Sequence, residues 1–96
     1  MALPPLHSFK VFESVARLGS LAAAALELHV TIGAVSQQLK ALQSSLNVEL
    51  FMKQGRQLAL TPSGRLLHSR IAAAMREIND AVSELQIGNR PANSPS

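Results

Sequence analysis

The chain contains no cysteine, tryptophan or tyrosine, and only 3 phenylalanines. Without cysteine there is no disulfide scaffold and no thiolate zinc site, and the redox compartment is left unmarked. The aromatic platforms on which single-stranded nucleic acid stacks are missing as well. No apolar run reaches the roughly 18 residues that a membrane span needs. The opening Met1-Ala2-Leu3-Pro4-Pro5 has neither a basic start nor an apolar core, so no secretory signal is read and the expected location is the cytoplasm. What is present, 96 residues of which 47% are hydrophobic and 16% charged, is the composition of one small globular domain.

Acidic residues are unevenly scarce. Across residues 30–70, Lys40, Lys53, Arg56, Arg65 and Arg70 stand against Glu49 alone, a net +4, whereas residues 1–29 balance to zero and residues 71–96 carry −1. A basic middle between neutral and slightly acidic ends suits a polyanion partner. An ordinary solvated surface can carry the same charges, so the decision falls to the arrangement of the residues.

Pro4 and Pro5 open a helix, because a first turn loses nothing with the missing N–H. Leu6, Phe9, Phe12 and Ala16 recur at helical spacing with Lys10, Glu13 and Arg17 opposite, and Gly19 is a good terminator. Ser20 caps a short second helix whose Ala22 to Ala25 run permits close helix approach. His29-Val30 is a turn, and Thr31 caps a third helix that runs to about Leu46. Its stripe is Val35, Leu39, Leu42 and Leu46, and its opposite face carries Gly33, Gln37, Lys40 and Ser44 with Ser36 on the flank. Asn47 tolerates the left-handed conformation that ends a helix.

Two short runs around Gln54-Gly55 then read as a β-hairpin, with Lys53 and Arg56 near its tip. Thr61-Pro62 starts a long helix in which Ile71, Met75, Ile78, Val82 and Leu85 follow heptad spacing. That helix is too long to bury its stripe on so small a body. The segment from Gly88 to Ser96 reads as a flexible tail.

A short helix, a tight turn, a second helix with a polar outer face and a following hairpin describe a winged helix-turn-helix. The expected fold is therefore mainly α, three helices plus a two-stranded wing, followed by a long dimerisation helix. The divisions expected are 1–60 for the DNA-binding domain, 61–88 for the linker helix and 89–96 for the tail. Generic helix packing accounts for the apolar stripes. It does not account for an outer face of Gly33, Ser36, Gln37 and Lys40 that lacks any carboxylate to repel phosphates.

Residues 6–66 resemble the DNA-binding domain of the LysR-type transcriptional regulators of bacteria. The resemblance runs in register through Phe9, Phe12, Ala16, Gly19-Ser20, Ala24-Ala25, Leu28 and Val30-Thr31. It continues through Ala34-Val35-Ser36, Gln38-Leu39, Leu42, Leu46, Leu50-Phe51, Arg56 and Leu60-Thr61-Pro62-Ser63-Gly64. The Leu-Pro-Pro-Leu opening is similar to that of the subgroup related to the glycine-cleavage activator. The ordered set is specific; a single piece of it is not.

The resemblance implies double-stranded DNA as partner, with the third helix in the major groove and the wing on flanking DNA. It places Ser20, Thr31, Ile32, Gly33, Ser36, Gln37, Lys40, Lys53 and Arg56 at DNA-facing positions. Gln37 is suited to pair with adenine, and Lys40, Ser20 and Arg56 to contact the backbone. It also implies a homodimer through Ile71, Met75, Ile78, Val82 and Leu85, on an interrupted palindrome whose half-sites lie on one DNA face. Left in water, those five side chains would forgo roughly 1.5–3 kcal/mol each. No cofactor or metal is implied. A small-molecule inducer is expected only through an effector domain outside this chain, which is read as the DNA-binding part of a longer protein.

Ile32 and Gly33 depart from the family pattern, where Gln and then Pro or a small polar residue are usual. Gln43, Asn47 and Lys53 replace a frequent Glu, Gly and Arg. Together these changes bear on which base sequence is read and not on the capacity to bind DNA, and Gln43 and Asn47 leave the fold argument undisturbed. An enzyme finds no support: His7, His29 and His68 lie on separate elements with no ligand or triad spacing. The alternative reading is a winged-helix protein-interaction or dimerisation module without specific DNA binding. Against it, the third helix offers no large aromatic anchor, and only Ile32 could serve as one.

Overall fold

The computed structural model describes residues 3–88, so the tail expected at 89–96 lies outside the described residues. In chain order the elements are α1 (Leu6–Leu18), α2 (Leu21–Leu28), α3 (Ile32–Leu46), β1 (Phe51–Gln54), β2 (Gln57–Leu60) and α4 (Pro62–Gly88). This is the mainly helical, winged arrangement the sequence pattern predicts.

Local chemistry sets the helix ends. Gly19, His29 and Asn47 adopt left-handed conformations, at φ 69°, 59° and 55°, and close α1, α2 and α3. Ser20 Oγ accepts the Ala23 N–H at 3.1 Å, and Thr31 Oγ1 accepts the Ala34 N–H at 3.0 Å. These are the side-chain caps that satisfy otherwise unpaired first-turn donors. Between α2 and α3 the chain has only His29, Val30 and Thr31, held from both sides. The relative placement of the two helices is thereby fixed by backbone geometry as well as by packing.

The core forms where the first three helices meet: Val11, Phe12 and Val15 of α1, Ala24 and Ala25 of α2, Val35, Leu39 and Leu42 of α3, and Leu50 beyond it. The two alanines let α2 approach its neighbours closely, which is what a short helix of eight residues needs to be held. Phe12 lies 5.4 Å, centroid to centroid, from Phe51, which seats the wing on the helical body.

The structure corrects two sequence expectations. Leu6 is 79% exposed although it belongs to the apolar stripe, and Glu13, expected on the open side, is buried. α1 packs against α2, α3 and α4, so its covered surface extends to Glu13, whereas Leu6, the first residue of the helix, lies at the rim of an open groove beside α4. The hairpin turn is Gly55-Arg56 rather than Gln54-Gly55, because Gln54 pairs with Gln57. Gly55 takes φ 65° at the first turn position. Glycine is favoured there because it adopts positive φ without a Cβ clash.

Thr61 Oγ1 accepts the Gly64 N–H at 3.0 Å and so caps α4 behind Pro62. At about 1.5 Å per residue the helix spans roughly 40 Å. Only Gly64 of its 27 residues is fully buried. Ile71 packs on the core and Met75 is half-buried, but Ile78, Val82 and Leu85 are exposed.

Candidate nucleic-acid interface

The outward face of α3 is built by its own periodicity. Because Val35, Leu39 and Leu42 face the core, Gly33, Gln37, Lys40 and Ser44 face out, all four exposed, with Ser36 half-buried beside them. Thr31 and Ile32 extend this face at its N-terminal end, and both are exposed. The face carries amide, hydroxyl and ammonium groups and no carboxylate. It can donate to and accept from base edges and attract phosphates, with Glu49, beyond the end of α3, as the carboxylate that shares a surface pocket with Lys40 and Ser44.

A second cluster forms where the helix-turn-helix meets the wing. A cleft of about 650 Å³ is lined by Gly19, Ser20 and Leu21 at the start of α2, and by Lys53, Gly55 and Arg56 of the wing. The hairpin register places Lys53 opposite Leu58 and Arg56 in the turn, so both cations are exposed. They stand beside the N-terminus of α2, whose peptide N–H groups point outward. The fold thus brings Ser20, Lys53 and Arg56 together across more than thirty residues of sequence. The Ser20 hydroxyl accepts the Ala23 N–H in this arrangement.

The acidic residues of the helical body are occupied elsewhere. Arg17 Nη2 donates to Glu27 Oε2 at 2.5 Å, and Arg17 Nε to Glu13 Oε2 at 3.1 Å. Ser14 Oγ donates to the same Glu27 oxygen at 2.5 Å. His68 of α4 brings its Nε2 within 3.6 Å of Glu13 Oε2. The bonds from Arg17 and then Ser14 hold the Glu27 carboxyl below its ordinary pKa. Glu27 and then Glu13 raise the Arg17 guanidinium in return. The bonds among Arg17, Ser14, Glu13 and Glu27 tie α1 to α2, with His68 of α4 alongside, and Arg17 shares its one positive charge between the two carboxylates.

Three features escaped sequence reasoning. Gln43 Oε1 accepts the N–H groups of Leu50 and Phe51 at 2.7 and 3.2 Å, which anchors the start of the wing. Nothing in its spacing announces this role. Glu13 works as a buried link between helices, and no periodicity signals it. Leu6 and Phe9 of α1 form one wall of an apolar groove whose other wall is Ile71, Ala74, Met75 and Ile78 of α4. The expected dimer stripe is therefore shared: Ile71 packs internally and lines the groove, while Ile78, Val82 and Leu85 stay open. Among the described residues no group of His, Asp and Glu is placed to hold a metal. Nor is any helix of the described residues long and apolar enough to cross a membrane.

Three helices carrying a capped helix-turn-helix, a two-stranded wing and a long trailing helix define a winged helix-turn-helix protein. Residues 6–65 match the family model of the bacterial regulatory helix-turn-helix proteins, lysR family, and the chain belongs to that family. It is 44% identical over 84 residues to the HTH-type transcriptional regulator TrpI of Pseudomonas aeruginosa, which covers 88% of this chain and 28% of that protein. It is 45% identical over 83 residues to the glycine cleavage system transcriptional activator homolog of Haemophilus influenzae, covering 86% of this chain and 28% of the relative. The chain thus spans 28% of the length of these curated relatives. Among solved structures it is similar to the CbnR_DBD-DNA complex, with a TM-score of 0.75 and 26% identity over 91% of this chain and 100% of that one.

Proposed function

We propose that this chain binds double-stranded DNA sequence-specifically as a homodimer, in the cytoplasm, as the DNA-binding part of a transcriptional regulator. α3 lies in the major groove, with Ile32, Gly33, Ser36 and Gln37 toward base edges and Thr31 and Lys40 toward phosphates. Ser20, Lys53 and Arg56 hold the flanking backbone. The observation that carries this reading is the outward face of α3, exposed along its length and free of carboxylates. The likeness to a domain solved on DNA supports it.

Dimerisation rests on α4. Ile78 and Leu85, 62% and 66% exposed, continue an apolar groove with no covering element of the same chain among the described residues. Arg65, Arg70 and Arg76 occupy the first part of the helix and Glu77, Asp80 and Glu84 the second. Antiparallel pairing of two copies sets each basic part beside the partner's acidic part. Two recognition helices then address half-sites of an interrupted palindrome about 34–36 Å apart, or a multiple of that.

The test is selection of bound duplexes from a random-sequence library at two salt concentrations, together with the solution mass. Enrichment of an interrupted palindrome by a dimer is the expected result. Retention at low salt with no sequence enriched would reduce the activity to backbone binding. A stable dimer that retains no duplex at low salt would favour the protein-interaction alternative.

A further inference from the structure

Among the exposed large apolar side chains, Ile32 is the one carried by α3, and it is 51% exposed at the first position of that helix. It belongs neither to the core cluster nor to the apolar residues packed against it. Nothing in the fold needs it: a β-branched residue adds nothing to helix propensity, and a polar residue fits this position equally well. Its presentation is nonetheless well defined. Thr31 Oγ1 fixes the first turn by accepting the Ala34 N–H at 3.0 Å, and a β-branched side chain in a helix has one strongly preferred rotamer. Beside it Gly33 leaves the surface bare, for the nearest atom to a side chain built there is the Thr31 hydroxyl, 3.9 Å away. Ile32 therefore presents about half of its surface at the N-terminal end of the helix, beside a position where Gly33 adds no side chain.

The chemistry of the base edges then selects a partner. An isoleucine can neither donate nor accept a hydrogen bond. Pressed against guanine O6 and N7, adenine N6 and N7, or cytosine N4, it strips water from a polar atom and returns nothing. The thymine C5-methyl is the apolar group in the major groove that it can cover without that penalty. Resting on the reading that α3 enters the major groove, we infer that Ile32 is a specificity-determining residue that reads the C5-methyl of one thymine in each half-site. Gly33 serves it by letting the backbone come close.

The experiment compares duplexes selected by the native protein with the same duplexes carrying deoxyuridine for thymidine, one position at a time. Uracil keeps every hydrogen bond and loses only the methyl. Replacement at one position in a half-site should weaken binding about fourfold, the factor carried by burial of one methyl group. Replacement in both half-sites should weaken it about 15-fold by the same reckoning. Ile32→Ala protein, checked for an unchanged thermal transition, should bind both duplexes alike, whereas Ile32→Val should keep part of the difference. If the native protein selects a sequence but is indifferent to uracil throughout it, the inference fails and the DNA-binding reading stands. It fails equally if the sensitivity survives in Ile32→Ala. Failure of the native protein to bind any duplex would overturn the underlying reading as well.

Discussion

The backbone of Gly64 lies against the carbonyl of Leu50, where α4 leaves the wing. A Cβ on Gly64 would fall far inside contact distance of the Leu50 carbonyl oxygen and 3.0 Å from Leu60 Cδ2. The same carbonyl accepts the Thr61 N–H at 3.1 Å, and Thr61 Oγ1 donates to the Glu49 carbonyl at 2.6 Å. The start of α4 is thus pinned to the segment that precedes β1, and the placement of α4 depends on this contact. Gly64→Ala ought to gain helix propensity, by about 1 kcal/mol. The clash should outweigh that gain, costing about 1–3 kcal/mol as other overpacked sites do. The expected result is a thermal midpoint lower by several degrees; an unchanged or raised midpoint would show that the backbone yields.

Gln43 supplies the acceptor for the N–H of the buried Leu50. Gln43→Ala removes it and leaves that donor without its partner, a loss of about 1–3 kcal/mol. Gln43→Glu keeps an acceptor in place and should retain most of the stability at neutral pH. Urea unfolding of the three proteins at pH 7 separates them. Equal midpoints for the alanine variant and the native chain would refute the anchoring role.

The Arg17–Glu27–Ser14 network predicts a dependence on acid. Glu27 has a lowered pKa in the folded chain, so its bonds stabilise the fold above the ordinary carboxylate range near 4.5 and are lost as pH falls through the folded value. The Glu27 side chain is 40% exposed, which screens the effect. In Glu27→Gln, unfolding midpoints should lie below the native ones at pH 6 and converge with them toward pH 3. A difference that stays constant over that interval would mean the charge contributes nothing.

Ile78 should control assembly without controlling the fold, because it is 62% exposed and outside the core. Ile78→Asp is expected to give a folded monomer by sedimentation, with the native helix content at high protein concentration. Its affinity for a palindromic duplex should drop at least tenfold, since both half-sites can no longer be held at once. A variant that remains dimeric would move the interface away from the α4 stripe.

Gln37→Ala tests base reading directly. A side-chain amide that pairs with adenine is worth about 1–3 kcal/mol of discrimination. Selection with the variant should therefore relax one position of the site while leaving the salt dependence alone. Lys40→Ala and Arg56→Ala should instead weaken all duplexes alike and flatten the salt dependence, as phosphate contacts do.

Much of this molecule is written in local order. Gly19, Asn47 and the capping residues Ser20, Thr31 and Thr61 act within a few residues of themselves, so their roles are legible from their neighbours. So is the outward face of α3, because helical periodicity fixes which side is polar once Val35, Leu39 and Leu42 are buried. The hairpin was recognisable as a pair of strands, but its turn was not, since the choice between Gln54-Gly55 and Gly55-Arg56 depends on cross-strand pairing. The role of Gln43 is not legible in the same way, because its partners lie seven and eight residues on, past the end of its own helix.

By itself, then, the sequence determined the helices, their ends, the existence of a wing and the chemical character of the outward face of α3, all of them properties of short-range spacing and side-chain type. Only the tertiary structure decided that Ser20, Lys53 and Arg56 share one cleft, that Glu13 is buried between helices, and that Leu6 and Phe9 join α4 in one apolar groove. Each of these depends on how α4 and the wing pack across the first three helices. That packing is set by the fit of many side chains distant in sequence, and no periodicity encodes it.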